Sequence, residues 1–452
     1  MRKVLLTALS LIVVAMMSTA AFAQNVPAAA PTPTPVPAAV TPAPEATAAP
    51  VAAAPTAGVP LDAPKPVPLV VQPGKVPAIE FAGFGQVWYT YLETGACAAG
   101  KCTQSDNSLF KVQRARLVMK GVIPGAEFLS YFGQIDYFGG PELSTQGATS
   151  GTLNLPIMLD FWINAKIVGD YLQLKAGEML IPFGYEPPRS PYDLELITYS
   201  LVYGAGMKYA GTQLGFFPYL RDMGVQIHGE AKFNGGHGIN YKVGIFNGQG
   251  LYQQDIITLG GNRWKDFMGR IGYSYRADAK NDKALRADFG VSGYYGDQNL
   301  KGDVSGNADF KKWRSGVDLR IDWNNLLFAA EYLVGIPANI ATDDKNFASK
   351  VNFKAYGAYA MLGYAIIGKV QPVIRYDIWS QETAHSPTKY YEVQAVTAGI
   401  NYLFCKNAKV SIVYEQMFPN GLAKGQAPVT QPNGSTTPVS ERQLIVQLAA
   451  RF

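Results

Sequence analysis

The chain ends in RQLIVQLAARF, residues 442–452. Leu444, Val446, Leu448 and Ala450 alternate with Gln443, Gln447 and Arg451, Glu441 keeps the polar phase, and Ile445 breaks it. Period-two alternation is the mark of a strand with one apolar and one wet face. The last residue, Phe452, places the terminal carboxylate directly behind that strand and an aromatic ring.

The other end is of different material. MRKVLLTALSLIVVAMMSTAAFA opens with Arg2 and Lys3, continues apolar, and closes on Ala21-Phe22-Ala23, the pattern of a secretory signal peptide over 1–23. No cysteine follows directly, which argues against a lipid-anchored protein. Residues 24–76 are mostly Ala, Pro, Thr and Val, with prolines at 31, 33, 35 and 37 and no aromatic residue. Proline blocks helix and sheet hydrogen bonding, so this stretch is read as a disordered, extended periplasmic linker, either a tether that reaches peptidoglycan or an inert leader.

From residue 77 the composition turns to aromatics, glycine and alternating charge. Mean hydropathy is +0.01, and no mature stretch offers about 18 uncharged apolar residues, so membrane-spanning helices are not expected. Alternating segments fall near 79–93, 108–121, 126–138, 157–168, 171–181, 221–233, 238–247, 266–277, 284–296, 312–323, 325–334, 354–367, 369–381, 391–404, 408–418 and 440–452. Short connections such as Gly169-Asp170, Asn324 and Gly368 alternate with long ones, among them 94–107, 182–220, 335–353 and 382–390. Short turns on one side and long loops on the other are the rhythm of an outer-membrane β-barrel, and the even strand count agrees. The predicted fold is therefore all-β: a transmembrane antiparallel barrel of about sixteen strands over 77–452. Closure satisfies every backbone group in lipid and leaves no edge.

The faces repeat this reading. In 157–167, Leu159, Phe161, Ile163, Ala165 and Ile167 are set against Asp160, Trp162, Asn164 and Lys166. Tyr91, Tyr137, Trp323, Tyr364, Trp379 and Tyr402 suit interfacial girdles. The terminal strand ending in Phe452 resembles the signal by which such barrels are recognised by the outer-membrane assembly machinery, and it would close the barrel against the first strand.

Sixteen strands usually enclose a water-filled channel, so function rests on what points inward. By alternation the candidate pore-lining, anion-binding residues are Arg114, Arg116, Lys166, Lys175, Arg270, Arg286, Arg314, Arg320 and Arg375, with Lys242 and Arg451 among further inward bases. Asp136, Asp160, Asp318, Glu331 and Asp377 are among the opposing acids. A moderate basic excess in a low-dielectric wall concentrates anions, whereas pairing across strands would only keep the lumen wet. The longest connection, 182–220, is too aromatic to stand in solvent. It is expected to fold inward as a constriction carrying Arg189, Tyr192, Tyr199, Tyr203 and Lys208.

LQLKAGEMLIPFGYEPPRSP (172–191), YLRDMGVQIHGEAKF (219–233), YKVGIFNGQG (241–250), MGRIGYSYRADA (268–279) and AGINYLFCKNAKVSIVYE (398–415) resemble the phosphate-selective porin O and P family. The resemblance implies a homotrimeric, sixteen-stranded channel in the outer membrane of a Gram-negative-type bacterium, in contact with lipid and passing small anions. Arg221 and Arg270 match the arginines flanking its strand motifs; the lysine cluster of phosphate-specific members has no counterpart in 182–220.

Enzyme chemistry is not indicated. Three histidines, His228, His237 and His385, have no metal-ligand spacing, and no nucleophile constellation or phosphate-binding glycine loop is present. No catalytic residue, metal, cofactor or nucleic-acid partner is expected. Cys97 and Cys102 are spaced for a local disulfide in an oxidising compartment. Passive diffusion of small anionic solutes, phosphate among them, leads. A general or sugar-permeable porin using Tyr192, Tyr199 and Tyr203, and an outer-membrane to cell-wall tether, are the alternatives.

Overall fold

A computed structural model describes residues 79–98, 101–138, 156–204, 208–209, 212–213, 215–217, 220–248, 265–299, 309–336, 354–383, 386–419 and 438–452. The signal peptide, the linker and His385 lie outside them, as do the side chains of Cys97, Cys102 and Lys208.

Strands β1 (Glu80–Ala98), β2 (Lys101–Ile123), β3 (Ala126–Asp136), β4 (Ile157–Val168) and β5 (Leu172–Leu180) form the first part of the wall. A two-stranded ribbon, β6 (Lys208–Tyr209) and β7 (Thr212–Gln213), stands apart from it. The wall resumes with β8 (Arg221–Phe233), β9 (His237–Phe246), β10 (Asp266–Arg276), β11 (Arg286–Asn299), β12 (Asp309–Trp323) and β13 (Leu326–Gly335). It ends with β14 (Ala355–Tyr364), β15 (Val370–Thr383), β16 (Ser386–Cys405), β17 (Ala408–Pro419) and β18 (Pro438–Arg451). Each wall strand pairs antiparallel with its neighbours, and β18 returns to β1 to close the sixteen-strand barrel.

Alternation decides which residues face outward. On β12 the even positions from Lys312 to Arg320 are buried while their neighbours are half-exposed. Val87, Phe161, Ile163, Val225, Ile227, Ile271, Ile374, Ile400 and Leu448 are exposed apolar side chains. In water such a belt would aggregate; around a closed barrel it has the pattern expected of a lipid-facing surface. The chain needs no spanning helix, and none of the described helices is long or apolar enough to be one.

The ladders are longer than the sequence rhythm suggests at two places. Connections 94–107 and 382–390 are paired nearly through, so their hairpins extend as ribbon, with Cys97 directly opposite Cys102 in register. Continued pairing satisfies backbone groups that an open loop would leave to water. Two side-chain assignments are also corrected. Leu159, read as lipid-facing, is fully buried inside, because the β3–β4 register skips it between Asp160 and Met158 and the bulge turns consecutive residues to the same side. Trp379, read as a girdle residue, is fully buried against Phe216; it shares the inward phase of Arg375 and Asp377. Tyr137, Trp323, Tyr364 and Tyr402 are exposed, as interfacial girdle residues must be.

The closing seam shows what the C-terminal phenylalanine does. Phe452 and Gly83 exchange backbone hydrogen bonds of 3.0 and 3.2 Å. The Phe452 ring lies over Gly83, where an added Cβ would stand 2.8 Å from the ring and 2.5 Å from the Arg116 carbonyl oxygen. Overpacking of this kind costs about 1–3 kcal/mol. Gly83→Val is therefore expected to reduce the fraction of heat-modifiable, folded barrel on unboiled gels. Normal yield would show that the seam tolerates a side chain there.

Candidate functional site

Residues 181–204 leave the wall after β5 and fold into the lumen. Ile181, Phe183, Leu194, Leu196, Ile197, Leu201, Val202 and Tyr203 are buried, and Phe216 and Phe217 join them from the end of the same loop. Small wall residues make room for them. A Cβ at Gly316 would press on Phe183, one at Gly357 on Val202 and one at Gly399 on Leu196. An aromatic loop of this composition buries its side chains on the wall, consistent with the inward fold expected from 182–220.

Polar contacts fix the loop in register. Its three acids each meet an arginine of the wall or the loop. Glu195 pairs with Arg189 at 2.7 Å and Arg320 at 2.8 Å, Asp193 with Arg451 at 2.6 Å, and Glu186 stands 3.7 Å from Arg375. Arg375 also donates to the carbonyls of Thr198 and Tyr199 at 2.9 and 3.1 Å and pairs with Asp377 at 2.7 Å. Glu331 of β13 accepts from the backbone N–H groups of Tyr185 and Glu186 and from the hydroxyls of Tyr203 and Tyr359. Burial alone would raise the Glu195 carboxyl, but Arg189 and Arg320 hold it well below the usual carboxylate range. The pair persists at neutral pH and is lost only as pH falls far below the value of a free carboxylate. Glu186, fully enclosed, is raised by burial against the pull of Arg375.

These contacts sort the predicted basic residues by what each one engages. Arg320 and Arg375 anchor the loop, and Arg314 is held between the rings of Phe217 and Tyr294, 4.5 Å from each, while donating to the Ile336 carbonyl. Arg114 is buried and donates to Gln86, and Arg270 pairs with Asp318 at 2.5 Å. Lys166 and Arg286 sit at the turn end of the barrel, paired with Asp170 and Asp282 at 2.9 Å each. The loop's own Tyr192, Tyr199 and Tyr203 are turned inside with at most 5 % exposure, so they offer no track to a passing solute.

The loop docks on β11 to β18 and β1, and the lumen stays open on the other side. There a cavity of 260 Å³ runs between the loop edge, Pro182 and Pro188–Pro191, and the wall of β2–β5, β8 and β9. Arg116, Lys175, Arg189, Arg221 and Lys242 line it, against a single carboxylate, Asp160. Three of these cations are matched: Arg116 by Asp136 at 2.9 Å, Arg221 by Asp160 at 2.9 Å, and Arg189 by Glu195. Among the described residues, Lys175 and Lys242 have no carboxylate within salt-bridge distance. The Lys175 ammonium rests instead over the Trp162 ring, 4.2 Å from its centre, and Trp162 stacks on Phe132 at 5.1 Å.

Sequence reading places Lys242 among the inward bases and matches Arg221 to the family arginines, but it does not mark Trp162 or Phe132 as site residues. Alternation places Lys242 and Trp162 inward, and that signal was available. The β3–β4 register sets Phe132 opposite Trp162, and the β5–β8–β9 register, Lys175 opposite Gln226 and His228 opposite Lys242, brings the bases to them across a connection of some forty residues. His228 accordingly faces the lumen, with Nε2 2.7 Å from Asn164 Oδ1.

A family profile described as phosphate-selective porin O and P matches residues 87–433. No curated protein matches the chain. Among solved structures, an anion-selective porin from Comamonas acidovorans aligns at 13 % identity over 83 % of this chain and 100 % of its own, with a TM-score of 0.50. The outer-membrane channel DcaP of Acinetobacter baumannii aligns at 13 % identity over 83 % and 97 %, with a TM-score of 0.50. In-vitro folded OmpT of Vibrio cholerae aligns at 11 % identity over 85 % and 100 %, again at 0.50. At such identities these three similarities establish the fold.

Proposed function

The chain belongs to the phosphate-selective porin O and P family and is an outer-membrane porin; from that premise we propose that it passes small anionic solutes selectively through the cavity beside its docked loop. One observation carries the reading: Lys175 and Lys242 line the narrow passage without a carboxylate partner, while the other lining cations are neutralised. In a low-dielectric constriction two uncompensated ammonium groups attract anions and repel cations. Candidate pore-lining roles among the remaining bases narrow to Arg116 and Arg221, which edge the cavity. The similar fold of an anion-selective porin agrees with this reading. The assembly proposed from family membership is a homotrimer in the outer membrane, with residues 1–23 a signal peptide and 24–76 a periplasmic linker.

Purified protein in a planar bilayer under a KCl gradient tests it. The reversal potential is expected to carry the anion sign, and current to fall saturably as phosphate is added. A reversal potential at zero would leave a general porin, and a cation-signed one would overturn the assignment.

A further inference from the structure

We infer that the constriction is matched to small organic carboxylates with a flat apolar body rather than to inorganic phosphate; this rests on the anion-channel reading above. Phosphate presents oxygens in all directions and is held well only where donors surround it, because each charge-assisted hydrogen bond it lacks must be replaced by water. The cavity is two-faced instead. Its basic side offers Lys175 and Lys242, with Arg116, Arg189 and Arg221 beside them already held by carboxylates. Its apolar surfaces are Phe132, Trp162, Leu180 and the loop prolines 182, 188 and 191, with the neutral polar groups of Gln134, Gln226 and Ser190 between them. Proline has no backbone N–H to donate, so donors along this edge of the loop are limited to Ser190 and to Arg189, which Glu195 already holds.

A carboxylate attached to a ring fits both sides at once. Its oxygens take the ammonium groups of Lys175 and Lys242, and its body lies against the Phe132–Trp162 pair and the proline edge. Size agrees: the cavity holds 260 Å³, and benzene is accommodated in an apolar cavity of about 150 Å³. Lys175 is already poised for the exchange, since its ammonium rests on the Trp162 face, a cation–π contact that a carboxylate can replace with a charge-assisted one.

The test is block of single-channel chloride current by benzoate, acetate and inorganic phosphate, each titrated separately on the full chain. Benzoate is expected to reach half-block at a concentration about tenfold below both acetate and phosphate. Phe132→Ala is expected to collapse the benzoate-to-acetate ratio towards one, and Lys175→Gln with Lys242→Gln to weaken block by all three. Phe132 is the better target because Trp162 also carries Lys175. Phosphate or acetate blocking as tightly as benzoate would overturn the inference while the anion-signed reversal potential still stood. A benzoate preference that survives Phe132→Ala would also overturn it, by removing the aromatic wall from recognition. Loss of the anion sign in the unmodified protein would overturn the channel reading itself, and this inference with it.

Discussion

Replacing both Lys175 and Lys242 with glutamate is expected to reverse the sign of the reversal potential, turning an anion-preferring channel into a cation-preferring one. The change at the constriction is four charges, from two unpaired ammonium groups to two unpaired carboxylates. At an effective dielectric constant of about 20, a unit charge about 8 Å from a permeating ion contributes roughly 2 kcal/mol, more than a tenfold change in local occupancy. The three matched pairs beside them, Arg116–Asp136, Arg221–Asp160 and Arg189–Glu195, nearly cancel at that distance and cannot restore anion preference. The double glutamine variant should fall between, close to no preference. Heat-modifiability on gels separates altered selectivity from failed folding. If the reversal potential of a folded Lys175→Glu, Lys242→Glu protein kept its sign, selectivity would have to arise elsewhere in the lumen. Arg114, Arg270 and Arg320 are the contrast: they were equally prominent as inward bases, yet each is engaged within the wall or with the loop, so neutralising them should act on packing before selectivity.

The difference between these two sets of bases marks where sequence reading ends. Strand existence and facing are local properties, written in period-two alternation, so all sixteen wall strands and the inward phase of Arg375, Lys242 and Trp162 could be read directly. Trp379 was readable too, since it continues the phase of Arg375 and Asp377; its aromatic character near a strand end outweighed that parity and led to the girdle assignment. Leu159 was not readable, because a bulge shifts facing without leaving a mark in composition. Whether an inward arginine is free or paired is a longer-range matter. Glu195 meets Arg320 across 125 positions and Glu186 stands beside Arg375 from still farther along the chain, so the loop adds its acids to those of neighbouring strands such as Asp136, Asp160 and Asp318. The count of basic residues could suggest an anion channel, but only the register across 181–220 separates the anchoring arginines from the two lysines left facing the passage.

Removing the principal anchor should open the channel. Arg375→Met is expected to raise single-channel conductance about twofold or more, with added current noise and weaker anion preference, while the barrel stays folded. Arg375 is 1 % exposed and meets Asp377, Glu186, Glu415 and the carbonyls of Thr198 and Tyr199. Methionine keeps much of its volume but leaves three buried carboxylates facing one another, and breaking such a cluster costs about 3–5 kcal/mol. The opposing force is apolar: burial of Leu194, Leu196, Ile197 and Leu201 contributes about 1.5–3 kcal/mol for each side chain. Ordering the backbone of segment 193–201 costs about 1–2 kcal/mol for every residue, most of which bury less. Gain and cost are of similar size along that segment, so the ion cluster decides whether it stays docked. Undocking is local, since Phe183, Val202, Phe216 and Phe217 remain seated on the wall and the sixteen-strand ladder is untouched. With the segment released, the passage widens towards a water-filled lumen, where charges more than about 8–10 Å from the ion path are screened, and the hold of Lys175 and Lys242 on selectivity declines. Adding Asp377→Asn and Glu415→Gln to Arg375→Met removes part of the repulsion and should return conductance towards the original value. Unchanged conductance in a folded Arg375→Met protein would mean that apolar seating alone holds the constriction in place.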